Sequence, residues 1–276
     1  MSLLVGCRGE GPWRPVGAMR GMRELALEKY VRERYYTNHM KKHLIALLLL
    51  TSLITPIWAR RPMITDDFGV TDYGHYSVEM SYQHAVPRSG SSPYSLGNVK
   101  LKTGLMKNTD VWIQMPYYFG GYWGMGDAIA TAKYRYQRWS ADEGLAVRGD
   151  MKLTSGNQSS GTGTGINDFA ISFICSKRFG PFLTHWNLGY TDIGEAPGAP
   201  IANTVDYQVA AEYGLDDTKQ LMAEVIGNLP QNTNSLNVQL GGNWKVAQNI
   251  YLDAGYIIGL NNYSSDIVNI GCSIYY

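Results

Sequence analysis

Twelve ionisable side chains fall at positions that would share one side of extended strands, in which consecutive residues point to opposite faces. Lys100, Lys102, Lys133, Arg135, Arg148 and Lys152 come early in the strand-rich region, and Asp206, Glu212, Glu224 and Asp253 come late. On opposing walls they would set a transverse field across a narrow conduit, which orients polar solutes and selects among ions. Asp150 among the bases and Lys245 among the acids favour some local pairing. The alternative is that the charges pair across the interior and simply fill it, as side chains do in small barrels.

Strands must position those charges, and the last eleven residues, 266–276, show the pattern most clearly. Val268, Ile270, Cys272, Ile274 and Tyr276 alternate with Asn269, Gly271, Ser273 and one aromatic, Tyr275. A tilted strand of this length crosses the hydrocarbon layer of a bilayer. Twelve such segments can be read, at 73–84, 97–105, 109–119, 127–138, 144–154, 167–177, 181–191, 203–214, 219–228, 235–246, 250–260 and 266–276. In the fifth, Leu145, Val147, Gly149, Met151 and Leu153 face one way and Arg148, Asp150 and Lys152 the other. A one-residue register slip would turn the charged row into lipid, at about 2–4 kcal/mol for each Arg or Lys at the midplane. The expected fold class is therefore all-β, a transmembrane antiparallel up-and-down β-barrel of about 12 strands.

Connections alternate in length. Short turns fall at 106–108, 178–180, 215–218 and 247–249, and longer Gly-, Ser-, Asn- and Pro-rich loops at 86–96, 120–126, 155–166, 192–202 and 229–234. In outer-membrane barrels the short turns are periplasmic and the long loops external, so an even strand count puts both ends of the barrel in the periplasm. Aromatic residues stand at strand ends, where amphipathic rings favour the headgroup level. Tyr76, Tyr136, Trp139, Phe179, Tyr213, Trp244 and Tyr276 would mark one rim, and Tyr82, Tyr117, Phe119, Tyr190 and Tyr207 the other. A final strand ending on an aromatic resembles the closing strand of bacterial outer-membrane barrels. That resemblance implies Tyr276 as an assembly signal, with the barrel-assembly machinery and the outer-membrane bilayer as partners.

The chain has 276 residues, 17% charged, with a net charge of +1, which gives no reason to expect nucleic acid. A helical membrane bundle needs apolar runs of about 20 residues, and the one candidate lies near residue 50. It reads as a secretory signal over 40–59: basic Lys41-Lys42-His43, an apolar run Leu44–Ile54, a break at Pro56 and a small residue, Ala59, before the cleavage point. Residues 1–39 are Arg-rich without amphipathic order, and are expected to be a gene-model extension, with translation starting at Met40, or a disordered leader. Export would leave a periplasmic N-terminal segment, 60–72, tucked at the barrel mouth, followed by the outer-membrane barrel at 73–276.

Other constellations carry less. Gly163-Thr164-Gly165-Ile166-Asn167-Asp168 lacks the lysine and following helix of a phosphate loop and reads as an external loop. Asp66 and Asp67 could face a cation, but too few further oxygen ligands stand nearby, and no metal or other cofactor is expected. His84 lies on the outward parity near one rim, where a lipid-face Ser–His–Asn hydrolase site would lie, but no Ser stands two positions on. His185 points inward as a lumen polar group. Cys175 and Cys272 read as small lipid-facing residues rather than a disulfide.

Several local patterns together resemble the outer-membrane β-barrel transporters associated with the meta-pathway of phenol degradation. They are Arg61-Pro62-Met63-Ile64-Thr65-Asp66-Asp67-Phe68-Gly69, Gly74-His75-Tyr76-Ser77-Val78-Glu79, Asp110-Val111 leading to Met115-Pro116-Tyr117, Gly124-Met125-Gly126-Asp127 and Lys133-Tyr134-Arg135. Gly163–Asp168 and Asn187-Leu188-Gly189-Tyr190 complete the match, while Leu153-Thr154-Ser155-Gly156 departs from the family's Pro-Thr-Gly. The resemblance implies a non-enzymatic channel for passive uptake or efflux of small molecules, aromatic or hydrophobic compounds among them. The alternatives are a non-conducting scaffold or adhesion barrel with a filled lumen and, more remotely, an outer-membrane lipid hydrolase. Sequence leaves the oligomeric state open.

Overall fold

A computed structural model describes residues 62–194, 203–229 and 234–276. The expected leader and signal peptide lie outside the described residues. Thirteen strands make one antiparallel sheet: β1 (Tyr76–Pro87), β2 (Tyr94–Met106), β3 (Thr109–Phe119), β4 (Gly124–Met125), β5 (Ile129–Arg138), β6 (Gly144–Lys152), β7 (Asp168–Phe179), β8 (Phe182–Asp192), β9 (Thr204–Gly214), β10 (Lys219–Asn228), β11 (Leu236–Ala247), β12 (Ile250–Gly259) and β13 (Ser265–Tyr275). β4 is a two-residue spur on β3, and the other twelve close a barrel when β13 pairs with β1. Every predicted strand is present, its ends within three residues of those observed.

The alternation that sorts the faces is realised along the whole wall. On β7, Phe169, Ile171 and Phe173 are exposed on the outer surface, while Ser172, Ile174 and Ser176 are buried inside. Leu240 and Trp244 on β11 likewise face out, with Gln239 and Asn243 buried between them. The apolar surface thus stands where lipid would cover it, and the polar row points to the lumen. Cys175 and Cys272 are free thiols.

Short turns gather at one end and long connections at the other. Asn108 takes the left-handed conformation (φ 65°) that the β2–β3 turn requires. Asp216 organises the β9–β10 turn, accepting from Thr218 N (2.7 Å), Thr218 Oγ1 (2.7 Å) and Lys219 N (2.9 Å). Those bonds, the Thr218 hydroxyl first, hold its carboxyl down to about 2. At the opposite end Asp127 gathers the loop after β6, accepting from Gly156 N (2.9 Å) and Thr164 N (2.8 Å). Gly163–Asp168 is therefore a loop tied to Asp127. At the seam, Tyr276 and Tyr76 exchange backbone hydrogen bonds (2.9 and 3.2 Å) and stack their rings 4.7 Å apart.

Candidate functional site in the barrel interior

The interior is occupied by the chain itself. Residues 62–71 run inside the barrel, a deeper placement than a segment resting at its mouth. Three apolar seats receive the segment. Phe68 packs on Ala146 and Ile174, over Gly144, where a Cβ would stand 2.5 Å from the ring. Met63 packs on Ala210 and Met222. Pro62 lies against the cross-strand pair Gly241 and Gly255, where Cβ atoms would stand 2.6 and 3.1 Å from its ring. The wall is cut back to glycine or small residues where the segment passes. Burying Phe68 to 1% exposure contributes about 1.5–3 kcal/mol of hydrophobic stabilisation.

Polar contacts fix the register. Glu224 accepts from Ile64 N (2.9 Å), Thr65 N (2.8 Å) and Thr65 Oγ1 (2.6 Å). Asp66 bridges Lys133 Nζ (3.0 Å) and Arg148 Nη1 (3.4 Å). Asn187 is oriented so that its amide nitrogen donates to Asp66 O (2.8 Å) and its oxygen accepts from Asp66 N (2.9 Å). Gln239 donates to Pro62 O (2.8 Å), and Thr71 N donates to Asp110 (2.8 Å). Asp67 is wholly buried and accepts from Gly69 N, closing a local turn.

The structure brings the early basic residues together around one aromatic ring. The ammonium groups of Lys100, Lys102 and Lys133 lie 4.7, 5.0 and 5.6 Å from the centre of Trp112. Lys100 pairs with Glu79 (3.3 Å) and Lys102 with Asp110 (2.8 Å). Arg148 also pairs with Asp150 (3.0 Å), and Lys152 pairs with Asp168. Among the late residues, Glu212 stands 3.4 Å from His185, Asp206 accepts from Thr191 (2.8 Å), and Asp253 is buried beside Asn243.

Of the two expected arrangements, the seated state shows local pairing on the basic wall, while on the acidic wall Glu224 is engaged by the internal segment. Burying charges without partners costs far more than the pairs return, which is why the acids stand beside the bases. Two residues of the inward row stand towards its turn end. Arg135 turns to the β2–β3 turn, donating to Asn108 Oδ1 (2.8 Å), and Lys245 lies over Tyr251 at 6.0 Å beside a bulge in β11.

Sequence reasoning passed over Glu79 and Asp110, although both lie on the inward parity, and over Ala146, Ile174, Ala210 and Met222. Those four are small or apolar residues interrupting an inward row otherwise polar, as Met222 does between Gln220 and Glu224. That interruption is the signal that something apolar must rest there.

Ser176, His185 and Glu212 line up across three adjacent strands, with Ser176 Oγ 2.7 Å from His185 Nδ1. The order is that of a hydrolytic triad. Here Ser176 Oγ accepts from Phe68 N (3.1 Å), all three side chains are buried, and the surrounding strand backbone is engaged in ladders. In this arrangement the row clamps Phe68.

Similarity to solved structures agrees with the architecture. An outer membrane channel from Pseudomonas putida F1 superposes with a TM-score of 0.58 at 15% identity, covering 78% of this chain and 100% of that one. The fold is that of outer-membrane β-barrels. The KdgM porin, solved with disordered oligogalacturonate, gives a TM-score of 0.54 at 6% identity, and the NanC porin 0.53 at 9%, each covering 71% of this chain and 98% of its own. No protein-family model and no curated protein sequence matches the chain.

Proposed function

We propose that the protein is an outer-membrane channel for passive movement of small molecules, with residues 62–72 as an internal stopper. One observation carries this reading: the ionised interior is filled by a non-covalently held segment preceding β1, not by side chains of the wall alone. Withdrawal of that segment would leave a conduit lined by Lys100, Lys102, Lys133, Arg148, Asp150 and Lys152 on one side and Asp206, Glu212, Glu224 and Asp253 on the other. The superposition on channels and porins supports the architecture this requires.

The phenol meta-pathway resemblance favours aromatic or hydrophobic permeants. A non-enzymatic role is favoured because Ser176 is buried beneath Phe68 and lacks free backbone donors for an oxyanion. Tyr276 is proposed as the assembly signal, and 40–59 as the signal peptide cleaved after Ala59, which the mass of the exported chain would check.

Single-channel recording of refolded 60–276 in a planar bilayer tests the reading, with a variant lacking 62–72 alongside. Discrete ion-selective steps, more frequent in the deletion variant, are expected. Silence in both, with folding intact, would replace the channel by a second reading, a filled scaffold barrel, which the pairing of lumen charges favours.

A further inference from the structure

We propose that Lys133 and Arg148 form a binding site for small carboxylates, and that Asp66 is its built-in occupant while the segment is seated. The site rests on the channel reading in one respect, that the segment withdraws. Each cation takes one oxygen of the Asp66 carboxylate, Lys133 Nζ on Oδ1 at 3.0 Å and Arg148 Nη1 on Oδ2 at 3.4 Å. This is the two-point grip that a free carboxylate would receive.

The grip is built by the wall. Asp150 Oδ2 accepts from Arg148 Nε (3.0 Å), and Asp150 Oδ1 accepts from Thr131 Oγ1 (2.7 Å), so the guanidinium is aimed without help from the segment. Lys133 is fully buried and held over the Trp112 ring. Among the described residues, the wall around that ring presents four cations, Lys100, Lys102, Lys133 and Arg148, to three carboxylates, Glu79, Asp110 and Asp150. The segment adds the carboxylates of Asp66, on Lys133 and Arg148, and of the buried Asp67, whose backbone oxygen also accepts from Lys133 Nζ (3.2 Å). When the segment leaves, the positive excess stays at a place already shaped for a carboxylate.

An anion that binds only the vacated site pulls the equilibrium towards withdrawal by a factor of one plus its concentration over Kd. That factor is about elevenfold at ten times Kd. Acetate, the chemical equivalent of the Asp66 side chain, is the probe, with chloride at equal ionic strength as the control.

The readout is chymotrypsin cleavage after Phe68 in refolded 60–276, since that residue is 1% exposed when seated. Acetate is expected to accelerate cleavage about tenfold over its titration while chloride does not, and Arg148→Met should abolish the difference. Asp66→Asn, which keeps every wall residue, should raise cleavage at every acetate concentration. Equal cleavage in acetate and chloride, or an acetate response that survives in Arg148→Met, overturns the site. The channel reading fails separately: a barrel lacking 62–72 that folds yet never conducts defeats it, whatever acetate does to Phe68.

Discussion

The two walls of the barrel hold the same segment by opposite means. On the side of β5 and β6 the segment offers a carboxylate, Asp66, to the cations Lys133 and Arg148. On the side of β10 the wall offers the carboxylate, Glu224, to the backbone N–H groups of Ile64 and Thr65 and to the Thr65 hydroxyl. The first contact reads a carboxylate's charge and its two oxygens, so a free carboxylate can replace it. The second reads a backbone conformation, and a free solute would have to reproduce adjacent donors to do the same. One wall is exchangeable and the other specific, and a segment that is held yet releasable needs both.

The contrast can be broken most severely by replacing Arg148 and Lys152 with Glu. Carboxylates would then face Asp66 and Asp168, and like charges at this range cost several kcal/mol where water is scarce. Segment loss and a shift of ion preference towards cations are expected in bilayer recordings; unchanged selectivity would reject the lining assignment. Phe68→Ala tests the apolar seat shared by both modes. Truncating a buried Phe costs about 3 kcal/mol or more, so the withdrawn fraction should rise about a hundredfold, readable as open probability.

Glu224→Gln and Asp66→Asn then sharpen the comparison directly. Glu224→Gln weakens three hydrogen bonds to a charged acceptor, each worth about 1.5–3 kcal/mol, and its effect should change little with salt. Asp66→Asn should be milder, and the wild-type contact that it removes should be the one weakened by high salt.

The smallest effect lies outside the lumen. Burial raises the pKa of Asp142, but hydrogen bonds from Arg178 and Ser140 outweigh it and leave the carboxyl below its usual range. The pair therefore stabilises the fold above the ordinary carboxylate pKa, and loses that contribution as pH falls through the lowered value. Asp142→Asn should cost under about 1 kcal/mol at neutral pH and nothing in strong acid, as pH-dependent unfolding would reveal.

The barrel was legible because its wall obeys one local rule. Alternation in β6, β9 and β11 repeats over enough residues that a slipped register would expose several charged or amide side chains to lipid at once. The two-residue β4 escaped, being too short to show a period. The segment's path was hidden for a different reason. Asp66, Asp67 and Phe68 carry no repeat, and although their partners Lys133, Arg148, Ala146 and Ile174 face one another on the paired strands β5, β6 and β7, nothing local in the sequence ties the segment to them. Arg135 keeps the inward parity, opposite Ala146, but stands just before a bulge at the turn end of β5, where its guanidinium reaches Asn108.

The seam between β1 and β13 also imposes an order of events. The segment precedes every strand, while its anchors come late: Ile64 meets Glu224 across 160 residues and Pro62 meets Gln239 across 177. During synthesis and export those anchors do not yet exist when residues 62–71 emerge. Seating of residues 62–65 must therefore wait until β10, β11 and β12 have joined the wall. A chain stalled before them would lack the seats for Pro62 and Met63, and its early segment would remain within reach of proteases. Occupancy of the lumen then doubles as a record that the barrel was finished.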